Sequence, residues 1–371
     1  MAKCLLCGKI SNAISSSIGL CIECIRAKPD DVILTIMQKH ADARIMYNLP
    51  PKPPKGTGLR CTICANECVI GNGESGFCGI RRNVGGKFVS LSTPEKAPLH
   101  YYLDPHVTNC CAAWFCPAGT GSGYPKYACR KGPEYGYYNL AIFFYGCNFD
   151  CLFCQNWSHK EINASSQVTA EELLNVTLKN EKITCWCFFG GSPEPHLPFA
   201  INASRKVLES IKDGRVVRIC FEWNGCGNER LVKGCGELAF ISGGNIKFDL
   251  KAFDPTLSLA LSGVKNDRAY ENFSTLFNEF YRERRDLPVL TATTPLVSGY
   301  VDEKEVENIA KFISEHDENI PYSLLIFHPD YMMRDLTITP VSQVKKCVAA
   351  AKKYLKNVNV GNVHLLSIAP P

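Results

Sequence analysis

Between residues 139 and 328 the chain alternates short apolar runs with amphipathic stretches. The apolar runs occupy 139–146, 183–189, 216–223, 245–251, 287–294 and 322–328. Between most of them apolar positions recur at helical spacing, as in AEELLNVTLKN, FAINASRKVLESI and EVENIAKFISEH. A short apolar run followed by a period-3.6 segment reads as a strand and then a helix, and six such units predict a parallel sheet with helices outside it. Right-handed crossovers curve such a sheet into a full or partial barrel. The predicted fold class is α/β: a partial (β/α)6 barrel over 136–371, preceded by a cysteine-rich metal-binding region.

Side chains alternate along a strand, so residues two apart share a face. In VRICFEWN, Arg218, Cys220, Glu222 and Asn224 face one way, and Val217, Ile219, Phe221 and Trp223 the other. In NIKFDLK, Lys247, Asp249 and Lys251 oppose Ile246, Phe248 and Leu250. With the apolar set against the helices, the polar set points into the barrel. Buried charge is costly unless paired or bound. A charged lumen therefore marks either a site or an internal ion pair that only fixes register. The strand ends favour a site, because catalytic groups in such barrels gather at the C-terminal ends. The first strand runs into GCNFDCLFC and the second into FGGSPEP. The third ends in Glu222, Asn224 and Gly225, the fourth in Asp249 and Lys251, and the sixth in His328.

Upstream the texture differs. CLLC at 4–7 and CIEC at 21–24 are two C-x2-C knuckles, so Cys4, Cys7, Cys21 and Cys24 are expected to close around one Zn2+ in a module over 1–27. Residues 28–58 predict an amphipathic helix, with Val32, Ile33, Ile36, Met37 and Ile45 at helical spacing, and then the stiff linker LPPKPPKGTG. In the third region, 59–135, Cys61, Cys64, Cys68 and Cys78 are read as a second metal site or cluster, holding zinc or iron–sulfur. The GNGESG inside that array matches G-x-G-x-x-G by letter alone, since no strand precedes it and no amphipathic helix opens from it. Cys110, Cys111, Cys116 and Cys129 are irregularly spaced and read equally well as an accessory metal site or as buried thiols.

Composition narrows the class. The chain has 371 residues, 46% hydrophobic and 21% charged, with a net charge of +5 and no long basic block. That suits a globular protein with a sizeable core and gives nucleic acid little to hold. Twenty-one cysteines, an odd number with many in C-x2-C, point to shared metal ions in a reducing cytoplasm rather than to disulfides. MAKCLLCGKI lacks the apolar core of a signal peptide, and no stretch reaches the ~18 apolar residues of a membrane span. No membrane partner is expected.

GCNFDCLFC holds three cysteines, Cys147, Cys151 and Cys154, where zinc sites and cubane clusters usually take four ligands. This C-x3-C-x2-C after a first strand resembles the radical S-adenosylmethionine (SAM) superfamily. DLK, TPLVSGYVD, FHPDYMMRDL and the Cys61–Cys78 array are similar to its pyruvate formate-lyase activating enzyme-like branch, and to the radical SAM component of the AmmeMemoRadiSam system. The matching motifs are spread over nearly all of 61–371. The resemblance implies a [4Fe-4S] cluster on the three thiolates, with the fourth iron open to the amino and carboxylate groups of SAM. It places Phe153 against the adenine and the backbone of Gly190 and Gly191 at the SAM amino group. Glu222 and Asn224, with Gly225, would meet the ribose and methionine portions, and His328 would line the same site. Asp249 and Lys251 would bind a cation or position SAM as the catalytic pair. Cys220 and Cys226 are candidates for a substrate-side thiol or an accessory ligand. One departure stands inside the motif: Asp150 occupies a position where a small or apolar residue, or Arg, is usual.

The activity so implied is reductive cleavage of SAM to a 5′-deoxyadenosyl radical, which abstracts hydrogen from a protein or peptide substrate. A glycyl-radical-enzyme activase is one form of it. A low-potential donor such as flavodoxin or ferredoxin would supply the electron. One alternative is radical modification of RNA or a small metabolite, with residues 1–27 as a docking module. Another is a non-catalytic iron–sulfur or zinc scaffold, which leaves Gly190, Asn224 and Lys251 unexplained.

Overall fold

The computed structural model describes residues 1–367, so the last four residues of the expected barrel range lie outside it. A nine-stranded sheet forms its centre: β1 (Lys96–Pro105), β2 (Tyr138–Phe144), β3 (Gln167–Thr169), β4 (Ile183–Gly190), β5 (Arg218–Trp223), β6 (Ile246–Asp249), β7 (Leu290–Leu296), β8 (Tyr322–Ile326) and β9 (Val358–Gly361). Its order is β9-β8-β7-β6-β5-β4-β2-β1-β3. From β2 through β9 neighbours run parallel, whereas β1 lies antiparallel to β2 and β3 antiparallel to β1.

All six predicted strands are present. A seventh parallel strand, β9, extends the sheet, because the short polar-flanked VNVG carries too few apolar residues to stand out by pattern. β1 also joins the sheet from the cysteine-rich region, so the sheet begins before residue 136. Its KAPLHYYLDP mixes proline and charge with apolar residues and shows no clean alternation.

The helices are α1 (Ile22–Ala27), α2 (Pro29–Ile45), α3 (Ala170–Lys179), α4 (Leu197–Ser210), α5 (Glu229–Ser242), α6 (Pro255–Ser262), α7 (Asp267–Glu279), α8 (Glu303–Ser314) and α9 (Val341–Lys352). Side-chain oxygens start several of them by accepting orphan backbone N–H groups: Thr169 for α3, Asn228 for α5, Asp254 for α6 and Asp302 for α8.

The two strand faces separate as the alternation requires. Trp186, Phe188, Ile219, Phe221 and Phe248 are buried in the main core, with the Phe188 and Phe221 rings stacked 5.1 Å apart. Cys185, Cys187 and Cys220 form a separate small cluster on the opposite, lumenal face. The base of the lumen is closed by a buried ion pair. Arg218 donates from both terminal nitrogens to Glu134, at 2.9 and 2.6 Å, while Thr184 and the Cys129 backbone N–H donate to the same carboxylate. Every oxygen of that carboxylate is used, so this pair is structural.

The N-terminal module is docked on the barrel. Tyr300 accepts from the Ser15 N–H and donates to the Leu20 carbonyl, both at 3.0 Å. Arg26 grips Asp302 with two bonds of 2.7 Å and reaches Glu305 at 2.9 Å. α2 buries Val32, Ile36, His40, Ala43 and Arg44, while Met37 and Ile45 are exposed. The inward stripe therefore ends in His40 and Arg44, two polar residues, rather than in the apolar pair expected from spacing. The proline-rich stretch after it is also tied down, with the Pro50 and Pro54 carbonyls accepting from Arg44 and the Val69 N–H. Around GNGESG the chain makes a turn between short strands, without a following helix. Among the described residues no helix is long and apolar enough to cross a membrane.

Removing one partner of a buried, hydrogen-bonded ion pair costs about 3–5 kcal/mol, whereas replacing both by apolar groups is often close to neutral. Glu134→Gln should therefore lower the urea midpoint by that free energy, and Glu134→Leu/Arg218→Met should recover most of it. An unshifted midpoint in Glu134→Gln would show that Arg218 is satisfied elsewhere.

Candidate active site

The loop after β2 is pinned on three sides. Asp150 N–H and Leu152 N–H donate to the Ser262 and Leu261 carbonyls at the end of α6, at 2.8 and 3.0 Å. The Cys151 thiol lies 3.3 Å from the Ser262 hydroxyl, and Gly146 N–H donates to His159 at 2.9 Å. Below the loop the fully buried Asp150 carboxylate meets His40 at 2.8 Å and Arg44 at 3.3 Å, both from α2, and also pairs with Lys160. Burial alone would raise the Asp150 pKa, but Lys160, His40 and Arg44 override it and hold the carboxyl far below its ordinary range. The residue that departs from the usual motif is thus the anchor of the loop.

Cys147, Cys151 and Cys154 open onto one cavity of about 210 Å³. Phe153, Gly190, Gly191, Ser192, Glu222, Asn224, Asp249 and Lys251 line the same cavity. His328 is the exception among the residues singled out. Its neighbour Phe327 lines the cavity, whereas the half-exposed His328 ring faces Asp330 at 3.9 Å. A strand-end position fixes where a backbone goes, and the turn at Pro329 sends this side chain elsewhere.

Gly190 and Gly191 are demanded by close approach. A Cβ on Gly190, at φ +108°, would sit 2.6 Å from the Phe144 nitrogen, and one on Gly191 would sit 2.4 Å from the Gly146 carbonyl oxygen. The glycines let the second loop lie directly against the cysteine loop. Beyond them runs a network that the strand-face reading missed. Ser192 donates to Glu194, which also accepts from the Gly225 N–H at 2.7 Å. Asn224 donates to Ser192 and to Asn148, each at 2.8 Å. Burial pushes the Glu194 carboxyl up to about 7, against the pull of those hydrogen bonds. The signal for it was the glutamate inside FGGSPEP itself.

Asp249 pairs with Lys251 through one oxygen and leaves Oδ1 buried without a partner. Burial opposes the Lys251 charge, but Asp249 and Cys151 outweigh it and hold its pKa above the ordinary lysine value. His159 Nδ1 and Trp223 Nε1, from two further lining residues, are also buried and unpartnered. Trp223 Nε1 lies on the helix side with Phe221 and Phe248, whereas Asp249 Oδ1 and His159 Nδ1 are two orphaned polar atoms that a bound polar ligand would satisfy.

Metal fit differs among the cysteine groups. Around a single zinc ion, Zn–S bonds of about 2.3 Å set thiolates about 3.8 Å apart. Cys4, Cys7, Cys21 and Cys24 meet that test: their sulfurs all lie within 4.8 Å of one another, with Cys7 and Cys21 at 3.7 Å. Among the described residues the only other such group is Cys110, Cys111 and Glu222. Cys147, Cys151 and Cys154 do not close this tightly, nor do Cys61, Cys64, Cys68 and Cys78. Wider spacing is what a cluster with several irons needs, so the three-thiol cavity fits a [4Fe-4S] group better than a lone ion. Cys226 is buried beside Asn224 and belongs to neither close-set group. Cys220 faces Cys185 at 3.6 Å in the lumen.

Residues 141–313 match the profile of the radical SAM superfamily. That stretch of the chain is similar to a radical SAM domain. An uncharacterized protein of Methanocaldococcus jannaschii is 26% identical over 328 residues, 82% of this chain and 81% of its own length. A second protein of that organism, provisionally named a glycyl-radical enzyme activating enzyme, is 26% identical over 59% of this chain and 79% of its own. Among solved structures, a domain of a pyruvate-formate lyase-activating enzyme from Bacteroides vulgatus aligns at TM-score 0.38 and 18% identity, covering 47% of this chain and 98% of that one. Streptococcus suis SuiB bound to the precursor peptide SuiA aligns at 0.45 and 13%, covering 61% and 48%. The radical SAM match runs from β2 to α8 and so spans the cavity-lining ends of β4 to β7.

The native Glu194 carboxyl holds its proton more tightly than the unfolded one. Its contribution to stability is complete below about 4.5 and is lost as pH rises through about 7. Over that window the contribution amounts to roughly 3 kcal/mol. Urea midpoints from pH about 5 to about 7.5 should fall more steeply in the wild type than in Glu194→Gln. Superimposable profiles would assign the slope to another group.

Proposed function

We propose that this chain binds SAM at a [4Fe-4S] cluster held by Cys147, Cys151 and Cys154, cleaves it reductively, and abstracts hydrogen from a protein or peptide substrate. One observation carries the reading: three thiols, a glycine-framed backbone and a lysine–aspartate pair share one cavity, where Asp249 Oδ1 and His159 Nδ1 are buried and unpartnered. When bound, the cluster supplies a low-potential electron and SAM the radical that takes the hydrogen atom.

The chain's own residues bind, orient and shield. Gly190 and Gly191 present backbone at close range to the amino group of SAM. Asn224, held by Ser192 and Asn148, and Glu222 address the ribose and methionine portions. Phe153 packs along the adenine, against Phe327 with ring centroids 6.2 Å apart. Lys251 brings positive charge beside the thiolates, and Asp249 keeps a free oxygen for a cation or for SAM. Cys4, Cys7, Cys21 and Cys24 hold zinc in a folding role, which their docking through Tyr300 and Arg26 supports. Cys61, Cys64, Cys68 and Cys78 hold an accessory cluster. Flavodoxin or ferredoxin fits the need for an electron.

A protein substrate draws support from the provisional name of the second Methanocaldococcus relative. A small-molecule substrate is the second reading, favoured by a lumen cavity of about 410 Å³ under the site, a volume typical of small-ligand pockets.

With dithionite as reductant, reconstituted wild-type protein should form 5′-deoxyadenosine from SAM, and Cys151→Ala should form none. Cys7→Ala should fold less stably and keep the cleavage chemistry in the folded fraction. Cleavage retained by Cys151→Ala would overturn the assignment.

A further inference from the structure

The lumen cavity beneath the SAM site is lined by an unusual set of groups. Cys110 comes from the loop after β1, and Cys185, Cys187, Arg218, Cys220, Glu222 and Lys247 from β4, β5 and β6. Glu222 lines both this cavity and the SAM cavity and so stands at the seam between them. Strand register places Glu222 directly opposite Lys247 on the neighbouring strand. The ligand atoms of Cys110, Cys111 and Glu222 all lie within 4.8 Å of one another. Lys247 Nζ is 3.1 Å from Cys110 Sγ, 3.3 Å from Cys187 Sγ and 3.4 Å from Glu222, with the lysine side chain 2% exposed.

A second observation points to an occupant. His106 Nε2, Asn139 Oδ1 and Asn245 Oδ1, all on the lining of this cavity, are buried without hydrogen-bond partners. All three residues are more than nine-tenths buried.

We propose that Cys110, Cys111 and Glu222 bind a thiophilic divalent cation such as Zn2+ or Fe2+, with an open coordination position facing the lumen. Charge supports this donor set. Two thiolates and a carboxylate bring three negative charges together in a half-buried space beside the buried Lys247; the ion offsets two, and the Lys247 ammonium offsets the third. Cys187 then remains a neutral thiol in contact with Lys247. Three protein ligands and one open position are the pattern of sites whose fourth ligand is water or substrate. Resting on the radical SAM reading for its role, the ion would hold an oxygen, nitrogen or sulfur donor of the substrate at the seam, with the reacting carbon towards SAM. The side-chain amides of Asn139 and Asn245 and the His106 ring would meet the remainder of that substrate.

The test uses the full chain, loaded with cobalt(II) in place of the native ion and compared with Cys110→Ser/Cys111→Ser and Cys129→Ser. The double variant should bind one equivalent less than the wild type and lose the matching thiolate-to-cobalt absorbance. Cys129→Ser, whose backbone caps Glu134, should match the wild type. Azide should shift cobalt d–d bands that are present in the wild type and absent from the double variant, because the lumen site has an open position; bands from the three-cysteine loop are common to both proteins and cancel in the difference. Glu222→Gln should weaken the same ion at least tenfold with its thiolate bands still present, a readout that holds if the double variant misfolds. Equal cobalt stoichiometry in wild type and double variant, or unchanged affinity in Glu222→Gln, would overturn the site. Azide silence would overturn the open position. None of these readouts needs SAM cleavage, so 5′-deoxyadenosine formed without the ion, or the ion bound without cleavage, separates the two failures.

Discussion

One buried carboxylate organises the catalytic end of this molecule. Asp150 lies between Cys147 and Cys151, and Lys160 from ten residues on and His40 and Arg44 from α2 converge on it. An unpaired carboxylate there would be costly, and so would the buried Arg44 and Lys160 without it, so the loop and α2 stabilise each other. The cysteine loop thereby borrows its rigidity from a helix about 110 residues upstream. Arg44 extends the grip by stacking 3.4 Å over the Phe77 ring, next to Cys78, and by donating to the Phe77 carbonyl. The upstream cysteine array and the catalytic loop are thus fixed against the same helix.

Along the lumen, three acid–base pairs stand at successive heights and differ in how completely they are satisfied. At the base, Glu134 and Arg218 spend their hydrogen-bonding capacity on each other and on nearby backbone. Midway, Lys247 divides itself between Glu222 and two thiols. At the top, Asp249 keeps an oxygen unpartnered beside Lys251. A closed pair carries only structure, and an incomplete one carries capacity for a ligand. Function is graded along the barrel axis by the number of bonds left unmade.

Much of this was legible in order along the chain. Alternation in VRICFEWN and NIKFDLK places the correct residues in the lumen, because a strand of period two leaves few other choices. The cysteine spacing marks the loop, and FGGSPEP marks its neighbour. Legibility fails where position depends on packing between distant segments. Nothing local says that His40 and Arg44 will turn inward beneath Asp150, or that Cys110 and Cys111 will meet Glu222 instead of Cys116 and Cys129. β1 and β9 escape notice because one is punctuated by proline and charge and the other is four residues long. His328 shows the converse error: a strand end places a backbone, and the rotamer beyond it follows from the turn.

The sheet is an open one, with β9 and β3 at its two ends. The loop bearing Cys110 and Cys111 is tied to the β9 side of that opening. Asn109 donates to Asn362 at 3.3 Å, just past β9, while Ser323 on β8 donates to the Cys111 carbonyl at 3.0 Å and Trp114 reaches the same serine at 3.1 Å. These are a few neutral bonds, each worth only about 1 kcal/mol. The two thiols are therefore held at the open side of the sheet by these bonds and by the contact of Cys110 with Lys247. An ion shared by those thiols and Glu222 would fasten this loop to β5, tying the open edge of the sheet to its middle.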